Sequence, residues 1–177
     1  MSVLAIMCWR GLDSVIRSRD RILATGDQMQ ALSTAMAQLD EDLRRSQPLR
    51  QVLKRDPVKI TNTENGLLLA IDRPTPGTPT GQVQNIQWRV WNKKLERGYS
   101  SPENPLTPPN ASRSYAWQTL LESSDAWNLW VWRKNARQRT DGKAQVLAEG
   151  SAGDVVGLEV ELLSGNQKLS RIYVLED

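Results

Sequence analysis

Histidine is absent from this chain of 177 residues, and Cys8 is its single cysteine. Serine hydrolases, cysteine hydrolases and most zinc enzymes use a histidine as base or as metal ligand. One cysteine also excludes an internal disulfide, although this alone does not decide the compartment. We therefore expect no enzyme, no cofactor and no metal site. A pair of carboxylates remains a possible catalytic arrangement, because it needs only two Asp or Glu residues.

Charge of one sign is not in large excess either, because the formal net charge is only +3. Basic residues are interleaved with acidic ones, which argues against a nucleic-acid partner. The chain also lacks a complete membrane span: the apolar run from Ser2 to Trp9 is eight residues long before Arg10, whereas spanning needs about 20. It has no basic start or small-residue cleavage site of a signal peptide. The run is either a helix end buried in its own core or the end of a longer hydrophobic segment.

What the chain does have is a long stripe of apolar residues at alternating steps of three and four, the spacing of one helix face. The stripe consists of Cys8, Leu12, Val15, Ile22, Met29, Leu32, Met36, Leu39 and Leu43. Arg19 and Gly26 interrupt it. One helix of about 40 residues would extend roughly 60 Å, and Gly26 is its likeliest bend.

Two functions are predicted for this helix, because a sheet domain of about 120 residues can cover only about 20 helical residues. Residues next to the sheet in sequence should pack on it: Leu32, Met36, Leu39 and Leu43. Earlier residues should pack in a membrane or fibre: Val3, Leu4, Ile6, Met7, Trp9 and Leu12. Leu39→Asp should then unfold the domain, whereas Leu4→Asp should leave it folded.

After the helix, Pro48 and Pro57 are predicted breakers, and the pattern becomes extended. A hairpin is expected at residues 58–61 and 67–71 around Asn65-Gly66, and a second at 83–91 and 95–99 with a turn at Lys93-Lys94. Three further strands are expected at residues 127–133, 155–163 and 169–175. The segment at 116–121 is ambiguous between a short helix and a strand. Loops are expected at residues 73–81, 100–114 and 136–153, and the last of these could also be a weak hairpin. One long helix and about seven strands predict an α+β fold, divided into residues 1–45 and 46–177.

Seven tryptophans stand in a chain that has no phenylalanine. Core packing is the favoured interpretation, ahead of a partner interface and of a stacking platform for sugars or bases. In the strand pattern Trp130 and Trp132 share one face and Trp127 lies on the other. The acidic trio at residues 40–42 points in diverging directions on a helix, so a solvated face is favoured over a metal cluster.

Residues 8–21, C-W-R-G-L-D-S-V-I-R-S-R-D-R, and the later L-x(10)-L-R-R at 32–45 resemble the J-class minor pseudopilins of type II secretion. In that family a hydrophobic helix enters an aromatic-R-G-L-D-x-V segment, and an acidic L-x-x-D-L follows, here residues 39–43. Residues 83–91 and 95–97 are similar to the family's central hairpin. Leu120-Leu121 with the strand at 127–132 is similar to its "LL … W" strand, and residues 156–174 to its last two strands.

The resemblance implies a pilin-like fold and a structural, non-catalytic role. Such proteins form a tip complex with I-type and K-type minor pseudopilins, which starts assembly of a short periplasmic fibre. The major pseudopilin and the inner-membrane platform are further implied partners. A single-pass inner-membrane helix with the bulk in the periplasm is the implied location.

The family begins with a basic leader, a glycine cleavage site, a phenylalanine and a glutamate, and Met1 corresponds to the middle of its membrane helix. A truncated start, an upstream start codon or a lost processing signal would each account for this. Two alternatives stay open: a type IV minor pilin with the same architecture, and a carbohydrate-binding β-domain on a helical stalk. The second requires coplanar, exposed tryptophan rings.

Overall fold

A computed structural model describes residues 2–53, 56–75, 81–104, 113–133, 136–139, 155–165 and 167–175. One helix, α1 (Ser2–Leu53), precedes every strand. The strands are β1 (Val58–Thr63), β2 (Gly66–Pro74), β3 (Val83–Trp91), β4 (Lys94–Ser100), β5 (Tyr115–Leu121), β6 (Ala126–Arg133), β7 (Ala136–Arg139), β8 (Val155–Ser164) and β9 (Gln167–Val174). All the paired strands are antiparallel. The predicted α+β class is therefore confirmed.

The chain divides into two compact units, Met1–Thr34 and Ala35–Asp177. The first unit consists of the first part of α1. The second contains the rest of α1 and all the described strands.

Helix α1 is longer than predicted, because it continues through Pro48 to Leu53. The prediction that Pro48 breaks the helix is wrong. Proline removes the hydrogen bond to the carbonyl four residues earlier, here that of Arg44. Both residues are exposed, so water can replace the lost bond. Near the helix end, Arg50 donates to the carbonyl of Leu175 at 2.6 Å.

The first five strands form one sheet in the order β1-β2-β3-β4-β5. Both predicted hairpins are present. Gly66 enters β2 with φ +105°, a conformation that favours glycine. In the second hairpin the turn is formed by Asn92 and Lys93, both with positive φ (49° and 59°), as two-residue hairpin turns require. Lys94, predicted in the turn, instead begins β4.

Parts of this sheet were not predicted. The ambiguous segment at 116–121 is the edge strand β5, and Arg73 and Pro74 belong to β2 rather than to a loop. In the predicted loop at 100–114, Glu103 bridges Val83 through two backbone hydrogen bonds of 2.8 and 2.9 Å. Residues 105–112 of that loop lie outside the described residues.

The second sheet has the order β7-β6-β8-β9 and contains the predicted strands at 127–133, 155–163 and 169–175. Residues 136–139, expected in a loop or weak hairpin, pair with β6 as β7. The rest of that segment, from 140 onward, lies outside the described residues. Strands β5 and β7 account for the larger number of strands than the seven expected.

The core of the second unit lies where α1 and both sheets meet. A small apolar cavity there is lined by Ala35, Met36, Leu39, Trp88, Leu95, Trp127, Val160 and Leu162. The hydroxyl of Tyr173 donates to the Met36 carbonyl at 3.1 Å, and the Trp127 indole N–H donates to the Leu67 carbonyl at 3.1 Å. Burial of such large side chains contributes about 1.5–3 kcal/mol each, so this junction holds the unit together.

Candidate assembly site

The tryptophans do not form a platform of exposed rings. Trp88 and Trp127 are buried, and Trp91, Trp130 and Trp132 are half-buried. Trp117, on the edge strand β5, is 36% exposed. Its ring nevertheless lies against Gly98, and the Arg89 guanidinium is 3.6 Å from the ring centroid. The described residues therefore give no support to the carbohydrate-binding alternative.

The first part of α1 instead exposes a row of large apolar side chains, here called the assembly stripe. Its members are Trp9, Leu12, Val15, Ile16, Ile22, Leu23 and Met29, each at least 50% exposed. Two of them, Trp9 and Leu12, belong to the group predicted to pack in a membrane or fibre. The side chains of Val3, Leu4, Ile6 and Met7 lie outside the described residues, although their backbone is helical. The described residues include no helix that is both long and apolar enough to cross a membrane.

The assembly stripe follows one side of the helix, where Arg19 and Gly26 interrupt it. Successive residues of an α-helix are about 100° apart, which places Arg10, Arg17 and Arg21 opposite the stripe and Asp13 at its border. Arg17 and Asp13 form an ion pair at 2.8 Å, and both side chains remain largely in solvent. An apolar face of this size on a charged helix is typical of an interaction surface.

The later apolar residues of α1 have the opposite environment. Leu32, Met36, Leu39 and Leu43 are each 3% exposed or less. In the second unit, Met36 and Leu39 line the core cavity together with residues of both sheets. The structure therefore places these four residues in buried surroundings, and the described part of the other group in solvent.

A buried ionic cluster, which the sequence did not predict, lies beside this core. Asp42 is 1% exposed, so the expectation of a solvated acidic face is wrong for this residue. Arg97 of β4 donates to both of its carboxylate oxygens, through Nε and Nη2, at 2.8 Å each. This bidentate geometry is the strong form of the arginine–carboxylate pair.

Two neighbouring strands complete the cluster. Arg73 of β2 donates to Asp42 Oδ1 at 2.8 Å, and the indole N–H of Trp88 in β3 donates to Oδ2 at 3.0 Å. Burial lowers the pKa of Arg73, and the charge of Asp42 opposes this effect. A second nitrogen of Arg73 donates to Gln84 at 2.9 Å. One helical carboxylate thus holds three adjacent strands to α1.

The other two acidic residues of the trio behave as surface groups. Asp40 pairs with Arg44 at 3.3 Å and Glu41 with Arg45 at 2.6 Å, in the same helix. No group of metal-binding side chains occurs among the residues that the structure describes. The burial of Asp42 did have a signal in the sequence: it follows Leu39 by three residues and Ala35 by seven, which places it on the buried helix face.

Comparison with known proteins gives the chain its family. None of the curated proteins matches it. A chain of the GspK-GspI-GspJ complex from the type 2 secretion system of enterotoxigenic Escherichia coli is similar at 17% identity and a TM-score of 0.56, covering 85% of this chain and 98% of its own. That likeness shows the fold alone. A family model, type II secretion system protein J, matches residues 10–173. Because the match covers almost the whole sequence, the chain belongs to the protein J family of the type II secretion system.

Proposed function

We propose that this chain is a structural minor pseudopilin of the tip complex, in which it joins I-type and K-type partners and starts assembly of the pseudopilus for type II secretion. Family membership supports the secretion system, and the similar fold occurs in a complex that contains GspI and GspK. The single observation that carries the assembly role is the exposed apolar stripe of α1.

The assembly stripe has a physical reason to be covered. Each large apolar side chain gains about 1.5–3 kcal/mol when it is fully removed from water, and the stripe has seven of them. In proteins most of the stability of a helix also comes from the packing of its apolar face rather than from helix propensity. Neighbouring pseudopilin helices, including those of the major pseudopilin, would supply that packing.

In such an assembly the second unit would be the folded domain that the packed helices hold in place. Its buried Asp42 cluster and apolar core fix the strands to α1, which suits a rigid, non-catalytic subunit. The N-terminal helix would serve as a single-pass inner-membrane anchor, with contact to the inner-membrane platform and the bulk in the periplasm. The division into an assembly helix, residues 1–45, and a periplasmic domain, residues 46–177, stays a prediction.

The test is reconstitution of the tip complex. The full chain is mixed with the I-type and K-type pseudopilins of the same secretion system and analysed by size exclusion with light scattering. We expect a complex of the three proteins, lost in the double variant Val15→Asp and Ile22→Asp. The matched control, Ser14→Asp and Ala24→Asp, adds the same charge at exposed positions on the other side of the helix and should still assemble. A wild-type chain that forms no complex would overturn the proposed function.

A further inference from the structure

Strand β9 forms one edge of the second sheet. Among the described residues its only strand partner is β8. The backbone N–H of Leu175 donates to the Val156 carbonyl at 2.9 Å, which identifies a hydrogen-bonded pair just beyond the strand end. Hydrogen-bonded pairs alternate in an antiparallel ladder, so Tyr173 and Arg171 also bond to β8. The N–H and C=O groups of Ile172 and Val174 therefore point away from β8, toward the open edge.

The same two residues expose unusually large apolar side chains. Val174 is 76% exposed and Ile172 is 57% exposed, whereas the aliphatic side chains of the described sheets are otherwise buried or half-buried. They lie on one face of β9, and Val174 is in register with Gly157 of β8. Gly157 in turn is in register with Trp132 of β6. The edge thus combines backbone groups that pair with no other described strand and an apolar surface, the two features that bind an added strand.

The charges of β9 restrict what can be added. The strand contains Lys168 and Arg171 and no acidic residue. Lys168 already pairs with Glu161 at 2.6 Å, while Arg171 is exposed, with its guanidinium 5.6 Å from the Tyr173 ring. A second copy of β9 would add two more cations and no carboxylate to this edge. Charge complementarity favours a segment that alternates apolar and acidic residues.

We propose that β9 is a docking edge to which an extended segment of another pseudopilin of the tip complex adds as a further strand. Apolar side chains of that segment would cover Ile172 and Val174, and an acidic side chain would face Arg171. The inference rests on the proposed function, and it adds a second contact surface to the assembly stripe.

Hydrogen exchange tests the backbone part directly. Amides of Ile172 and Val174 should exchange rapidly in the free chain, whereas those of Tyr173 and Arg171 should already be protected by β8. Addition of the I-type and K-type pseudopilins should slow exchange at Ile172 and Val174 by roughly tenfold or more, as a newly hydrogen-bonded strand requires. A complex that forms without this protection would overturn the docking edge and leave the proposed function intact.

Substitution tests the side chains in the same mixture. Ile172→Lys with Val174→Lys should weaken the complex by roughly tenfold or more, equivalent to about 1.4 kcal/mol or more. The control is Thr119→Lys on another edge strand, β5, where this side chain is exposed, and it should bind like wild type. Arg171→Glu should weaken binding without loss of thermal stability. Wild-type affinity in all these variants, or self-association of the chain through β9 in light scattering, would contradict the proposal.

Discussion

Two stretches of the same helix differ in what covers them. From Trp9 to Met29 the large apolar side chains are in solvent, whereas from Leu32 to Leu49 they are buried. The two stretches have the same helical spacing of apolar residues in the sequence. The spacing of apolar residues therefore identifies a helix face that packs against another surface, but it does not identify that surface. Under the proposed function the exposed stretch would serve assembly, whereas the buried stretch packs in the core.

Their polar residues differ in the same way. Arg17 and Asp13 form an ion pair on the surface, and such pairs are worth about 1 kcal/mol or less. Asp42 lies in the buried stretch, where removal of one partner leaves two guanidinium groups without their counter-ion. A charged residue can thus decide stability in one stretch and have almost no effect in the other.

The largest expected effect separates the two stretches by the same substitution. Leu39→Asp places an unpaired charge in the core and should cost more than about 4 kcal/mol, enough to unfold the second unit. Val15→Asp changes an exposed residue and should alter the stability by about 0.5 kcal/mol or less. Urea unfolding followed by tryptophan fluorescence measures both. Equal destabilisation by the two substitutions would mean that Val15 belongs to a folding core.

The second prediction compares two neighbouring acidic residues. Asp42→Asn should cost about 3–5 kcal/mol, because Arg97 and Arg73 stay buried while their shared charge is lost. Asp40→Asn removes only a surface pair with Arg44 and should cost about 0.5 kcal/mol or less. The two losses in free energy of unfolding are measured by denaturant titration, from the shift of the midpoint when the dependence on denaturant concentration is unchanged. A loss at Asp42 no greater than that at Asp40 would show that the cluster does not fix the helix to the strands.

A smaller effect is expected at two glycines. A Cβ at Gly98 would stand 2.8 Å from Cε3 of Trp117, so Gly98→Ala should displace that ring and cost about 1–3 kcal/mol. In a Trp117→Ala background the same change should cost almost nothing, a non-additivity that thermal unfolding can measure. Additive losses at Gly98 and Trp117 would exclude the ring contact.

Gly26→Ala meets no atom within 4 Å and should instead increase helical circular dichroism, with up to about 1 kcal/mol gained in α1.

The sequence predicted those features whose causes are local. The helix follows from apolar spacing, and the hairpins follow from turn residues next to alternating strands. Pro48 was misjudged because its cost depends on water reaching Arg44, which is a tertiary property. Likewise, Arg97 and Arg73 are 55 and 31 residues from Asp42 in sequence, so the sequence around Asp42 does not indicate which arginines pair with it. The segment of β5 stays ambiguous in the sequence, and that of β7 reads as a loop or a weak hairpin, because pairing partners rather than their own patterns define these strands.

The smallest effect concerns Tyr173, whose hydroxyl ties β9 to the buried stretch of α1 through the Met36 carbonyl. Tyr173→Phe keeps the ring and removes one hydrogen bond, so it should cost about 0.5–1.5 kcal/mol near neutral pH. Burial raises the pKa of Tyr173 above its ordinary value of 10. The unfolded chain therefore ionises first, and wild-type stability falls as the pH rises above about 10. Because phenylalanine cannot ionise, the advantage of wild type should shrink between pH about 8 and about 10.5, measured by urea unfolding. Tyr99→Phe, at a 40% exposed side chain, is the control and should change stability little at either pH. A wild-type advantage that grows with pH would contradict the burial of the Tyr173 hydroxyl.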